Sequence, residues 1–199
     1  MIIFMAEKVI QIPAPNIQML KVAIHGTNPL IFNRWTEKAK QMIWRKQQKD
    51  PKANTREKRD MEKEGEATYY KNADGKVAFP ALSLKQAMVG ACRSLSGVHM
   101  TVIRGAVFIV GDADGLIPVK YKKKQIREDM VRLPNGSADI RFRGEVSDWS
   151  MELIIKYNAD VLSSEQVMNL LQIAGFSCGI GEWRPEKNGD YGTFEISTK

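Results

Sequence analysis

Metal and thiol chemistry have little to work with in this chain of 199 residues, which contains two histidines and two cysteines. His25 and His99 are isolated, and nothing near either one is spaced like a metal site or a catalytic triad. Cys92 and Cys178 belong to no CxxC pair, which excludes a zinc ribbon or disulfide scaffold and suits a reducing compartment. No apolar run nears the roughly 18 residues that span a bilayer. The opening residues MIIFMAEKVIQ have no basic n-region, long apolar stretch or cleavage site, so no secretory signal is expected, and Met5 stands as a second candidate start. A cytoplasmic protein with no membrane partner is expected. Nucleotide-binding signatures are lacking too. There is no GxxxxGK[ST], and Gly179-Ile180-Gly181 follows a helix pattern, with Arg184 where a dinucleotide fingerprint needs its third glycine. Asp112, Asp114 and Gly115 hint at a calcium loop but lack its closing glutamate. No catalytic residue, metal or cofactor is expected.

Positive charge is what the chain does have: a net +7. It is concentrated in two blocks. Residues 33–64 carry eleven Lys/Arg against six Asp/Glu, and residues 119–146 carry eight against four, which leaves the rest of the chain slightly acidic. Two such blocks in a small protein form an electrostatic footprint for a polyanion.

Between the blocks the pattern is that of an ordinary core. Ile17–His25 alternates as a strand, and Tyr69–Phe79 reads as a hairpin through Asp74-Gly75. Ser83 is the expected N-cap of a helix with Leu84, Met88 and Cys92 on one face. Gly105–Val110 reads as a short buried strand and Trp149–Tyr157 as another. Ser163 opens a helix with Val167, Leu170, Leu171 and Ala174 apolar, and Tyr191–Ile196 makes a last strand. The expected fold class is α+β, a ferredoxin-like (RRM-like) β-α-β-β-α-β core. It forms one domain over residues 1–199 and carries the basic blocks as insertions.

The first helix is introduced by FPALSLKQAMVGACR, and GIGEWRPEKNGDYGTFEI lies between the last helix and strand. With the β-α-β-β-α-β order, these segments resemble the RAMP superfamily over roughly residues 17–196. Within it the likeness is to the CRISPR backbone subunit that polymerises along guide RNA, and to phage-encoded relatives. The resemblance implies that the pre-helix segment and glycine-rich loop lie near a nucleic-acid backbone. It makes residues 33–64 finger-like and residues 119–146 a thumb-like hairpin. The loop's own chemistry agrees: Gly179, Gly181, Gly189 and Gly192 leave backbone amides unshielded for phosphate, Arg184 and Lys187 supply charge, and Trp183 offers a stacking face. Lys85 and Arg93 stand two turns apart on the first helix. In the second block Arg141 and Arg143 alternate with Phe142, which puts both guanidinium groups on one face of a strand. The candidate nucleic-acid-binding residues are Arg34, Lys85, Arg93, Lys122, Lys123, Lys124, Arg141, Arg143, Trp183, Arg184 and Lys187.

The expected function is a non-enzymatic protein that binds single-stranded DNA or RNA and multimerises along it as a homo-oligomer or helical filament. Its setting would be phage replication or recombination, or a CRISPR-like assembly. One alternative is a phage structural or assembly protein whose basic arms bind a partner subunit. Another is a RAMP-type endoribonuclease with His25 or Tyr69 as acid–base residue.

Overall fold

The fold is known from a computed structural model that describes residues 12–49 and 59–197. Met5 and residues 50–58 of the first basic block lie outside the described residues. Strand β1 (Ile17–Gly26) alternates polar and apolar residues, and β2 (Leu30–Ile31) follows after a short turn. Helix α1 (Glu37–Gln47) is capped by the Thr36 hydroxyl and buries no residue. Helix α2 (Met61–Glu66) is capped by Asp60. β3 (Tyr70–Lys71) and β4 (Val77–Pro80) pair across the Asp74-Gly75 turn, as expected.

Helix α3 (Ala81–Ala91) corrects the sequence reading, because it starts directly after Pro80 and not at Ser83. A side-chain cap is not needed there: the Ala81 amide donates to the Gly115 carbonyl at 2.9 Å. An unexpected helix, α4 (Met100–Ala106), runs straight into β5 (Val107–Val110), so that strand begins two residues later than expected. β6 (Leu116–Pro118) precedes β7 (Lys123–Arg132) and β8 (Ala138–Ser147), ten residues each, which form a long hairpin around Asn135-Gly136. β9 (Ser150–Asn158) leads to α5 (Ser164–Ser177), which is secured by a reciprocal capping box between Ser163 and Gln166. The last strand, β10 (Phe194–Ile196), is shorter than expected. The Tyr191 and Gly192 amides bond back to Trp183 and Pro29, and so belong to the preceding loop.

The result is an α+β fold with three antiparallel sheets, ordered β10-β1-β9-β5, β2-β8-β7 and β3-β4-β6. In the four-stranded sheet Val22 stands opposite Leu153 and Ile24 opposite Met151, so the buried residues of neighbouring strands coincide. That face joins Leu84 and Met88 of α3 and Val167, Leu170 and Leu171 of α5 in one core. Each such side chain, fully buried, stabilises the fold by about 1.5–3 kcal/mol. Among the described residues no helix is long and apolar enough to cross a membrane, and no group of three or more His, Cys, Asp or Glu could hold a metal ion.

The two basic insertions pack on each other. Arg59 pairs with Glu64 at 2.6 Å, reaches Asp139 at 3.4 Å and the Ile140 carbonyl at 2.7 Å, and lies 4.9 Å over the Phe142 ring. Lys124 pairs with Glu66 of α2 at 2.8 Å. Residues 59–66 therefore pack along the hairpin, Arg59 against its outer half and Glu66 against Lys124 near its base.

Candidate nucleic-acid interface

The glycine-rich loop leaves α5 through Gly179, whose amide returns to the Ala174 carbonyl at 2.9 Å. It then wraps the β1–β2 connection: the Glu182 amide donates to Ile31 at 3.0 Å and the Gly192 amide to Pro29 at 2.8 Å. Gly192 sits at φ +66°, and a Cβ there would overlap the Ile180 carbonyl. This overturns the expected phosphate cradle. The amides of Gly179, Gly189 and Gly192 all donate to backbone carbonyls, and only that of Gly181 has no backbone acceptor among the described residues. The glycines are there so that chain segments can approach closely.

Charge, not bare backbone, faces outward from this loop. A groove of about 560 Å³ lies between α3, α4 and the loop. Lys85, Arg93, Arg104, Arg184 and Lys187 line it, against Glu182 and Glu186. Glu186 pairs with Arg93 at 2.9 Å and with Arg184 at 2.9 Å, while Arg184 also donates to the Gly181 carbonyl at 2.9 Å. Burial by itself would raise the Glu186 pKa, but hydrogen bonds from Arg184 and Arg93 outweigh it and hold the carboxyl below its ordinary range. Lys85 is occupied as well: it donates to the Arg104 carbonyl at 2.8 Å, lies 3.6 Å from the Phe108 ring centre, and has its pKa lowered by burial. Because α3 begins at Ala81, Lys85 is beyond the first turn, and the expected helix-terminus role is corrected accordingly. Arg104 and Lys187 are exposed and make no ion pair among the described residues.

The hairpin departs further from expectation. Arg143 is 6% exposed and bonded to Asp129 at 2.9 Å and Glu182 at 3.4 Å, so it is not the outward partner of Arg141. Asp129 also takes Arg127 at 2.8 Å and the Trp183 indole N–H at 3.4 Å, and Arg127 reaches Glu145 at 2.7 Å. The Arg127 guanidinium lies 4.7 Å from the Tyr191 ring centre. This buried ionic cluster welds the hairpin to the glycine-rich loop. Burial would raise Asp129, yet hydrogen bonds from Arg143 and Arg127 hold its carboxyl below the ordinary aspartate range. Arg141 stays half-exposed and pairs with Asp139 at 2.9 Å.

Lys122 and Lys123 are exposed at the base of the hairpin. Lys124 is tied to Glu66, and none of the three lines the groove. Arg34 lies in a second, larger groove with Arg141 and Arg143. Arg104 was missed because nothing in MTVIRGA announces a helix: His99 precedes it without a side-chain cap. His25 is held between Ser197 at 3.1 Å and Glu195 at 2.7 Å. Tyr69 is buried, with its hydroxyl among the Gln125 carbonyl and the Glu145 backbone, and burial pushes its pKa well above the ordinary tyrosine range.

No protein-family model matches the chain, and neither does any curated protein. Solved structures do. One is a chain in the cryo-EM structure of the Type III-B Cmr-beta bound to cognate target RNA, with TM-score 0.58 and 10% identity over 92% of this chain. This chain spans 60% of that one. Another is Cmr6 from Pyrococcus furiosus, with TM-score 0.46 and 10% identity over 92% of this chain and 99% of that one. The likeness to that Cmr-beta chain is one of fold, in keeping with the RAMP-superfamily resemblance read from the sequence.

Proposed function

We propose that this protein binds single-stranded nucleic acid along its phosphate backbone in the groove between α3, α4 and the glycine-rich loop. The observation that carries the reading is the groove's charge: five cations against two carboxylates, with Arg104 and Lys187 exposed and unpaired among the described residues. A polyanion neutralises such a surface with little base readout, so RNA and DNA both fit. The core that presents the groove is read as ferredoxin-like. Its strands follow the order β1-α3-β5-β9-α5-β10 and assemble as β10-β1-β9-β5. A chain of the same fold comes from a structure bound to cognate target RNA, which supports the reading by analogy. The protein acts as a cytoplasmic binder and not an enzyme. It multimerises along its ligand in a CRISPR-like assembly or a phage replication complex. Exposed Met19, Ile154 and Phe176 leave apolar surface outside the groove for contact between copies.

The test is fluorescence anisotropy with single-stranded RNA and DNA over a salt series. Affinity is expected to fall with salt, by a slope of about 0.7 per phosphate contact. Arg104→Ala with Lys187→Ala is expected to lower that slope by about 1 to 1.5. Absence of binding at low salt, or binding that ignores salt, overturns the proposal.

A further inference from the structure

A second groove, of about 1660 Å³, runs between α1, α2 and the outer half of the β7–β8 hairpin. Its carboxylates are already engaged. Glu37 pairs with Lys40 at 2.6 Å, Glu64 with Arg59 at 2.6 Å and Asp139 with Arg141 at 2.9 Å, while Asp60 caps α2. Arg34, Arg45 and Lys63 also line it and make no ion pair among the described residues, so its uncompensated charge is positive. Trp35, 56% exposed, and Met42 give it an apolar wall. Asn33 lines both grooves, so they adjoin at that residue.

We infer that this second groove seats nucleobases of the same strand, with Trp35 as the stacking platform, while the first groove holds phosphates. The inference rests on the nucleic-acid reading above and deepens it. An indole beside unpaired cations matches a ligand that is both anionic and aromatic, and single-stranded nucleic acid is such a ligand. Among the described residues nothing buries a residue of α1.

The experiment compares a short oligouridylate with an abasic oligonucleotide of equal phosphate count, against wild-type protein, Trp35→Ala and Trp35→Phe. Trp35→Ala is expected to weaken oligouridylate binding by about 5- to 100-fold. It should leave abasic binding and the salt slope unchanged, and Trp35→Phe should restore most of the loss. Trp35 is exposed, so the thermal midpoint of Trp35→Ala is expected to match wild type. Equal losses on both oligonucleotides, or none on either, overturn the base-seating inference while leaving the phosphate groove standing. Unchanged affinities with a shift from multimer to smaller species in sedimentation assign the groove to a second copy of the chain, and also overturn it. Wild-type protein that binds neither oligonucleotide overturns this inference together with the reading it rests on.

Discussion

Glu186 holds two arginines of the phosphate groove at once, Arg93 and Arg184, each at 2.9 Å. Its carboxylate therefore occupies the place between them that a phosphate would take, and a bound strand must compete with it. Glu186→Gln removes the competing charge and keeps the side chain's size. Affinity for single-stranded nucleic acid is expected to rise about threefold to tenfold, equivalent to roughly 1 kcal/mol, a size set by the modest worth of partly exposed ion pairs. Titration of both proteins at low salt checks this, and an unchanged or weaker affinity would mean that Glu186 positions the arginines and does not mask them. In the sequence Glu186 is one charge among several in the glycine-rich segment. Its pairing with Arg93 spans 93 residues of chain, which no local pattern reveals.

At the scale of elements, the hairpin's bond to the loop depends on Asp129. With its carboxylate gone, Arg143 keeps only Glu182 at 3.4 Å while remaining buried. Asp129→Asn is expected to destabilise the protein by about 3–5 kcal/mol, read from urea unfolding at neutral pH. The pH dependence follows from the lowered folded-state pKa of Asp129. Its contribution is present above the unfolded value near 3.8 and is lost as pH falls through the folded value, so wild type and variant converge in acid. A difference that persists unchanged at low pH would count against the ionic origin. The long hairpin itself was readable from Asn135-Gly136, because a two-residue turn signal acts locally. The direction of Arg143 was not. Strand alternation correctly puts it on one face with Arg141, but which stretch of that face is covered depends on the loop that packs there.

Over the whole molecule, the grooves adjoin at Asn33, and apolar residues remain exposed elsewhere. Phe176 at the end of α5 is 82% exposed and is the candidate contact between copies. The expected outcome is assembly driven by the ligand: in static light scattering the mass should grow with oligonucleotide length. Phe176→Ser should reduce that growth without weakening binding to an oligonucleotide of one site. Assembly of equal extent with no oligonucleotide present would favour the alternative of a structural protein whose arms bind a partner subunit.

The sequence by itself determined the elements whose signals are local: the Asp74-Gly75 and Asn135-Gly136 turns, the helix start at Ser163, and the alternation of β1 and β9. These depend on contacts between residues a few positions apart, or on a period of two, and so can be read along the chain. It also determined where positive charge is concentrated, since charge is a property of composition. Only the tertiary structure decided which of those charges are spent. Arg143 is consumed in a buried cluster, Arg59 crosses 80 residues to bind Asp139, and Arg104, from a stretch with no helix signal, reaches the groove. The glycine amides of the loop were likewise settled by distant carbonyls, Pro29 for Gly192 among them. The physical reason is common to all of these. An ion pair or a backbone hydrogen bond is decided by which groups folding brings within about 3 Å, and for groups far apart in the chain that is a property of packing.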